Sequence, residues 1–298
     1  MKVNKITNRF KVLDVLYITM MILPIALCIL LKVLTAPLTE GIAIAGARIF
    51  FTIALPIQAM PVTEAQVNSL AVVITLLFLC LYLTHGISEG AWLKRHHIAE
   101  LMVETSKKLV VSNMGEYFHF FAPFIAAIMG LSGLSSIVTL FGLFPPTSDL
   151  NVVAGWAIMV FILITYYKMK CGPWEYVKSF ANPVLMAPLN VISEIATPIS
   201  MAFRHYGNVL SGSVISVLVA TGLSGLSNLI FGWLPGFFGE FPFLQVGIPA
   251  ILSIYFDIFS GCLQAFIFAM LTMLYIAGGF PLDLYKERKA KKAQKCGK

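Results

Sequence analysis

The chain has 298 residues, of which 58% are hydrophobic and only 12% are charged, and its mean hydropathy is +0.86. A soluble domain carries about twice that share of charged residues, so the composition excludes one and indicates a polytopic helical membrane protein. The formal net charge of +7 does not indicate nucleic-acid binding, because the basic residues fall in loops and tails between apolar segments.

Residues 1–66 are predicted to form an N-terminal helix followed by an interfacial excursion. The first eleven residues are basic, and an apolar run extends from about Val12 to Leu34. A secretory signal has the same pattern, but no clear small-residue cleavage site follows, so we expect a retained membrane helix. The mixed segment 35–66 is predicted to lie at the membrane interface and to have no transport role.

Residues 67–181 are predicted to contain helices two to four, formed by the apolar segments 67–83, 118–144 and 150–167. The segment 88–115 is too charged to cross a membrane, but its apolar residues recur every three or four positions. This pattern predicts an amphipathic helix lying on the membrane surface. His96 and His97 are adjacent and would point apart on a helix, so we interpret them as surface histidines and not as a metal-binding pair.

Residues 182–279 are predicted to form a hairpin of two overlong helices. From Pro198 to Phe231 alone, a continuous helix would measure about 50 Å, against about 30 Å of hydrocarbon. This helix must tilt strongly or break near Gly222 and Gly225. The last apolar segment, residues 248–277, would measure about 45 Å by the same rise. We therefore expect a tilted pair of helices that lies against another object.

The basic residues predict the orientation. With six crossings and residue 1 in the cytoplasm, every Lys and Arg except Lys32, Arg48 and Arg204 falls on the cytoplasmic side. Both termini are therefore expected in the cytoplasm, and residues 280–298 are expected to form a basic cytoplasmic tail.

One arginine lies inside the fifth apolar segment. A permanent cation near the bilayer centre costs about 2.5–3.5 kcal/mol on insertion scales, so such a residue usually faces a partner, a cavity or an ion path. An arginine that snorkels to the headgroups is the structural alternative. Asn208 and Ser211 follow Arg204 at helical spacing, and Ser200 and Gly212 extend the same face.

A second polar face is predicted on the last helix. Its members are Asp257, Gly261 and Gln264. The carboxyl of Asp257 could exchange a proton or hold a dehydrated cation, or it could be a structural partner for Arg204. Antiparallel packing of the last two helices would bring both faces onto one wall, with Glu194 near its cytoplasmic end and Ser213 beyond the arginine.

The sequence predicts no cofactor, metal or nucleotide site. The five cysteines form no CxxC pair, and three of them lie in apolar segments, where cysteine packs as a small hydrophobic residue. The sequence also contains no glycine-rich phosphate-binding loop. We therefore expect no catalysis in this chain alone.

Three motifs carry a resemblance to a known family. They are PPTSDLN at residues 145–151, PLNVISEIATPISMAFRHYGNVLSG at 188–212 and LQAFIFAMLTMLYIA at 263–277. With these motifs, residues 86–280 resemble subunit a of the F-type ATP synthase membrane sector. The most specific parts are the arginine and asparagine of FRHYGN and the glutamine of LQAFIF.

The resemblance implies a role for each site residue. Arg204 would face the ring of c subunits, with Asn208 and Gln264 as its companions along the ring. Glu194 would belong to the cytoplasmic ion path, and Asp257 to the half-channel from the outside.

This chain departs from the family at one position, because relatives often carry glutamate where it has Ser213. The expected outer ion acceptor is therefore Asp257.

The resemblance also implies the function. The chain would be a stator subunit that forms two offset half-channels, for H⁺ or alternatively Na⁺, and couples ion flow to ring rotation. Its partners would be the c-ring, b-type peripheral stalk subunits, the rest of the ATP synthase and lipid, in a bacterial-type plasma membrane. A stand-alone secondary transporter, with Arg204 as an anion site, is the alternative, and it predicts internal repeats that the sequence does not show.

Overall fold

The protein is built from long apolar helices. The computed structural model describes residues 2–35 (side chains from 12), 47–54, 56, 59–87, 94–170, 172–173, 176, 187–233, 244, 247, 251–252, 254–280 and 285. Within these residues, six helices are long and apolar enough to cross a membrane. This confirms the predicted all-α membrane class with about six crossings. The predicted basic tail, 280–298, lies outside the described residues except for 280 and 285.

The helices follow the chain in a simple order. They are α1 (Lys2–Thr35), α2 (Glu64–Thr84), α3 (Lys94–Met114), α4 (Ala122–Thr139), α5 (Leu150–Lys170), α6 (Ala187–Phe231) and α7 (Gly261–Gly278). A 3₁₀ helix, Glu116–Phe121, leads into α4, and a 3₁₀ turn, Pro146–Ser148, precedes α5. A π-helical segment, Ile254–Ser260, leads directly into α7.

The predicted interfacial excursion contains a β-hairpin. Strand β1 (Ile49–Ile53) pairs antiparallel with β2 (Met60–Thr63), and Ile49 lies opposite Thr63. The amide of Glu64 donates to the carbonyl oxygen of Arg48 at 2.7 Å, so the hairpin runs directly into the first turn of α2.

Helix α1 is tied to the rest of the bundle at three levels. Near one end, Lys32 Nζ lies 3.8 Å from Glu64 Oε1 and also donates to the carbonyl oxygen of Gly142. In the middle, the Thr75 hydroxyl donates to a carbonyl of α1 at 3.0 Å. Near the other end, Arg95 Nη1 donates to Asp14 Oδ1 at 2.6 Å. Polar contacts therefore hold a helix whose outer face is largely apolar and exposed.

Helix α3 corresponds to the predicted surface helix, although residues 88–93 lie outside the described part. Its residues Ile98, Leu101 and Met102 are exposed, as expected for an apolar face that contacts lipid. His97 is exposed, but His96 is only 1% exposed, and its Nε2 lies 2.9 Å from the carbonyl oxygen of His85. The surface assignment of His96 was wrong, because α3 packs against the end of α2.

The main core joins α3, α4, α5, α6 and α7. Fully buried side chains such as Ile125, Val160, Phe268 and Met273 fill its centre. At one end, the rings of Phe118, Tyr167 and Phe280 pack edge to face. This core fixes α6 against its neighbours and so positions the candidate site.

Helix α6 is continuous over 45 residues. Of the two alternatives that the sequence left open, a strong tilt or a break near Gly222 and Gly225, the break does not occur, because the helix continues to Phe231. At 1.5 Å per residue it measures about 67 Å, more than twice the hydrocarbon thickness of about 30 Å. If α6 crosses a bilayer, it must therefore tilt strongly.

Candidate functional site

The site is built where α6 meets the π-helical segment. Asn208 Nδ2 donates to the carbonyl oxygen of Ser260 at 3.3 Å, and the Ser260 hydroxyl donates to Asn208 Oδ1 at 2.9 Å. One turn further along α6, a Cβ on Gly212 would lie 3.2 Å from Phe256 Cβ. Residue numbers rise along α6 as they fall along its partner. The two segments are therefore antiparallel, as the sequence predicts.

This register sets the heights of the charged groups. Asp257 adjoins Phe256 and so lies near the level of Gly212, about 10–12 Å beyond Arg204 along the axis of α6. Glu194 precedes Arg204 by ten residues on the same helix, or about 15 Å. Arg204 therefore lies between two carboxyl groups, one on each side.

The side chain of Arg204 is exposed, and that of Asp257 is half-buried. In the part of the chain that the structure describes, neither makes an ion pair or a hydrogen bond. The structural alternative in which Asp257 pairs with Arg204 is therefore not observed. Both groups remain available to a partner outside this chain or to water.

His205 anchors the helix next to the arginine. It is only 2% exposed, its Nε2 lies 3.3 Å from the Ser132 hydroxyl of α4, and the rings of Trp156 and Phe268 flank it. Successive residues of a helix point about 100° apart, so burial of His205 turns Arg204 outward. The sequence reasoning did not assign His205 a role, although a histidine in an apolar segment was a visible signal.

The polar face predicted on α6 divides into two. Ser200, Arg204 and Ser211 are exposed, whereas Asn208 and Gly212 turn towards the π-helical segment. Asn208 and Gly212 therefore hold α6 against the π-helical segment, whereas Ser200, Arg204 and Ser211 remain on the exposed surface of α6.

The two candidate hydroxyls on α6 bond to the helix itself. Ser211 Oγ donates to the carbonyl of Gly207 at 2.6 Å, and Ser213 Oγ donates to the carbonyl of Leu210 at 2.8 Å. With their hydrogens engaged, both hydroxyls can still accept a hydrogen bond or contact a cation through their lone pairs.

The polar face predicted on the last helix is largely packed inside the chain. A Cβ on Gly261 would lie 2.2 Å from Ser136 Oγ, and Gln264 is only 5% exposed. Asp257 lies in the π-helical segment. π-Helices are rare in proteins, and those that occur are often found at functional sites. Among the described residues, no group of three His, Cys, Asp or Glu side chains could hold a metal ion.

Glu194 belongs to a charged cluster that the sequence reasoning did not predict. Lys168 Nζ lies 2.7 Å from both carboxylate oxygens of Glu194, and the Tyr176 hydroxyl donates to Oε1 at 3.2 Å. Burial, and then the carboxylate of Glu194, raise the pKa of Tyr176. In the sequence, Lys168 contributes to the orientation signal, and nothing in its spacing indicates contact with Glu194.

The fold and the site define a polytopic α-helical membrane protein that carries charged groups within its membrane-crossing helices. Residues 66–277 match the family model described as ATP synthase A chain, and the chain belongs to this family. The matched range includes every candidate site residue. It begins within α2, so α1 and the β-hairpin lie outside it.

Known relatives agree with this assignment. ATP synthase subunit a of Legionella pneumophila is 27% identical over 229 residues, which cover 76% of this chain and 90% of the relative. ATP synthase subunit a of Desulforamulus reducens is 35% identical over 144 residues, covering 46% of this chain and 50% of the relative. ATP synthase subunit a 1 of Crocosphaera subtropica is 29% identical over 208 residues, covering 68% and 81%.

Proposed function

We propose that this chain is the stator subunit a of an F-type ATP synthase and forms two offset proton half-channels at a c-ring. The observation that carries the proposal is the order of charges along α6. An exposed arginine without a partner among the described residues lies between Glu194 on one side and the level of Asp257 on the other. The chain supplies the ion path and leaves catalysis to other subunits.

Arg204 separates the two half-channels. A guanidinium and a ring carboxylate about 4 Å apart attract by about 4 kcal/mol at an effective dielectric constant of about 20. This attraction favours loss of the proton from the ring carboxylate and is weak enough to be broken when the next proton binds. Arginine does not release its proton, so no proton passes directly from one half-channel to the other through this side chain.

The carboxyl groups on either side serve the two half-channels. Asp257 receives the ion from outside, with Asn208 beside it and the hydroxyls of Ser211 and Ser213 on the outer part of α6. Gln264 is buried, and by the antiparallel register it lies near the level of Arg204, whose companion we propose it to be. An ion released from the ring leaves past Glu194.

The energy comes from the membrane potential. Each unit charge that falls through 100 mV supplies about 2.3 kcal/mol, so several protons must pass for each ATP made elsewhere in the complex. The proposed ion is H⁺, and Na⁺ is the alternative. Sodium dependence of ATP hydrolysis in proteoliposomes distinguishes them.

The partners and the orientation follow from the same assignment. The exposed face around Arg204 contacts the c-ring, and b-type stalk subunits hold the chain in a bacterial-type plasma membrane. Both termini are cytoplasmic. The end of the bundle that carries Arg95, Lys168 and Lys170 is the cytoplasmic end, which agrees with the positive-inside rule. The organisation into residues 1–66, 67–181, 182–279 and 280–298 belongs to this proposal.

The test is substitution of Arg204 in the whole complex in inverted vesicles. Arg204→Ala and Arg204→Lys should abolish ATP-driven proton pumping and ATP synthesis while the chain still inserts and assembles. Leu218→Ala, at an exposed position on the same helix, is the control and should leave pumping unchanged. Normal pumping by Arg204→Ala would refute the proposal, and solute uptake by the purified chain alone would favour a secondary transporter.

A further inference from the structure

A single lysine contacts both carboxylate oxygens of Glu194. Lys168 Nζ lies 2.7 Å from Oε1 and 2.7 Å from Oε2, although the two residues are 26 positions apart and on different helices. The side chains are 23% and 18% exposed, respectively. A pair this close and this shielded is a specific contact, in contrast to a mobile surface ion pair.

The backbone around the lysine holds it in place. A Cβ on Gly279 would lie 2.8 Å from Lys168 Cε, so the lysine stem passes over a residue that has no side chain. Gly279 directly follows α7. The ammonium of Lys168 therefore lies where the ends of α5 and α7 meet the first turns of α6.

We propose that Lys168 is a positioning residue for ion release: it holds the carboxyl group of Glu194 in place and must withdraw from it each time a proton passes. This inference rests on the proposed function, because it deepens the role of Glu194 in the cytoplasmic half-channel. It adds a second moving charge to that path, beside the proton itself.

The contacts explain why the lysine and the proton compete. Both carboxylate oxygens accept from the ammonium, and a proton bound to either oxygen removes the negative charge that attracts the ammonium, so the lysine and the proton compete for the same carboxylate. The Tyr176 hydroxyl donates to Oε1 as well and remains with the carboxylate when the lysine leaves. A tyrosine hydroxyl is ordinarily protonated at neutral pH, and burial raises the pKa of Tyr176 further, so this hydroxyl stays a donor.

The neighbouring lysine provides a matched control. Lys170 Nζ lies 5.5 Å from the ring centroids of Tyr167 and Tyr285, so it faces aromatic rings and not Glu194. Lys168 and Lys170 carry the same charge at the same helix end. A difference between their variants therefore reports on the contact with Glu194 and not on the net charge of this region.

The first test measures Glu194 directly in the purified complex. A hydrophobic carbodiimide reacts with protonated carboxyl groups, and mass spectrometry of the peptide that contains Glu194 reads the modification. Lys168→Met should raise the modification of Glu194 about fivefold, and Lys168→Arg and Lys170→Met should leave it near the level of the unchanged protein. Equal modification in all four proteins would overturn the inference.

The second test measures whether Lys168 acts through Glu194. Lys168→Met should slow ATP-driven proton pumping about fivefold, and Lys168→Arg should restore most of the rate. In a Glu194→Gln background, Lys168→Met should cause no further loss. An equal loss in both backgrounds, or no rescue by arginine, would mean that Lys168 only stabilises the fold and would overturn the inference.

The two tests separate this inference from the proposed function. If Arg204→Ala still pumped protons, the proposed function would fail, while the carbodiimide experiment would still report on the Lys168 and Glu194 pair. If Arg204→Ala abolished pumping but Lys168→Met changed neither measurement, only the role of Lys168 would be refuted.

Discussion

Gly261 marks the tightest crossing in the site, and a single methyl group there should disturb it. A Cβ at this position would lie 2.2 Å from Ser136 Oγ and 2.6 Å from Ser136 Cβ. Non-bonded carbon atoms settle at about 3.5–4.0 Å. Rotation of the Ser136 side chain does not relieve the clash, because its Cβ stays in place and its hydroxyl donates to the carbonyl of Ser132 at 3.1 Å.

The free-energy cost of Gly261→Ala follows from the difference between this 2.6 Å distance and a normal carbon contact. Restoring a normal carbon contact requires α4 and the start of α7 to separate by about 1 Å, and overpacking of this kind typically costs about 1–3 kcal/mol. Alanine has a higher helix propensity than glycine, but this offsets less than about 1 kcal/mol of the destabilisation, because Gly261 is the first residue of α7. We therefore expect Gly261→Ala to destabilise the protein by about 1–2 kcal/mol, which lowers Tm by about 2–8 °C. The displacement also disturbs the adjacent hydrogen bonds between Ser260 and Asn208.

The assay is thermal unfolding of the purified complex, with proton pumping measured in parallel. Gly222→Ala is the control, because outside its own helix backbone no atom of the described residues lies within 4 Å of a Cβ at Gly222, and it should leave Tm unchanged or raise it. Ser136→Gly removes both clashing atoms, so Gly261→Ala should lower Tm much less in a Ser136→Gly background than in the unchanged protein. The packing argument would be refuted if Gly261→Ala were as stable as the control, or if Ser136→Gly gave no rescue.

Two further predictions concern contacts that the sequence did not reveal. His205→Phe should destabilise the fold by about 1–2 kcal/mol, because the Ser132 hydroxyl loses its buried partner. In the His205→Phe background, Ser132→Ala should lower the free energy of unfolding little further, and a double-mutant cycle of unfolding free energies measures this. Arg95→Met removes the ion pair with Asp14 and should raise the rate of amide hydrogen exchange in residues 12–20. Exchange near Lys32 should not change, because Lys32 contacts Glu64 and the Gly142 carbonyl. An equal rise in exchange along the whole of α1 would contradict this prediction.

The helices themselves could be predicted from the sequence because a membrane imposes a length. A run of about 20 apolar residues can satisfy its backbone hydrogen bonds in lipid only as a helix or in a closed barrel, so composition and length largely determined the crossings. The fate of Gly222 and Gly225 could not be predicted in this way. Glycine costs only about 1 kcal/mol in a helix interior, and a non-helical turn in lipid costs more.

The π-helical segment depends on tertiary packing and left no local signal. Its position follows from two contacts with α6, the hydrogen bonds of Ser260 to Asn208 and the packing of Phe256 on Gly212. Sequence periodicity predicted that both helices carry polar faces. It could not predict that part of each face would pack against neighbouring helices of the same chain, because that depends on the partner helix.

The pairing of Glu194 with Lys168 was unpredictable for a related reason. Both residues stood out in the sequence, one as a candidate site acid and the other as a topology signal. Nothing in the spacing between them indicated contact, since they belong to different helices that meet only in the folded bundle. The sequence therefore identified the charged residues of the site more completely than it identified their partners.

The distribution of ion pairs makes a structural role for Arg204 difficult to sustain. Elsewhere in the described chain, some cations near helix ends pair with carboxylates, such as Lys32 with Glu64 and Lys168 with Glu194. Arg204 and Asp257 lie on antiparallel neighbours, only about 10–12 Å apart in height, yet the register keeps them unpaired. A fold selected only for stability would gain by joining them, because an isolated charge in hydrocarbon costs several kcal/mol. Their separation is explained if each must exchange partners with a carboxylate, or a proton, that arrives from outside the chain.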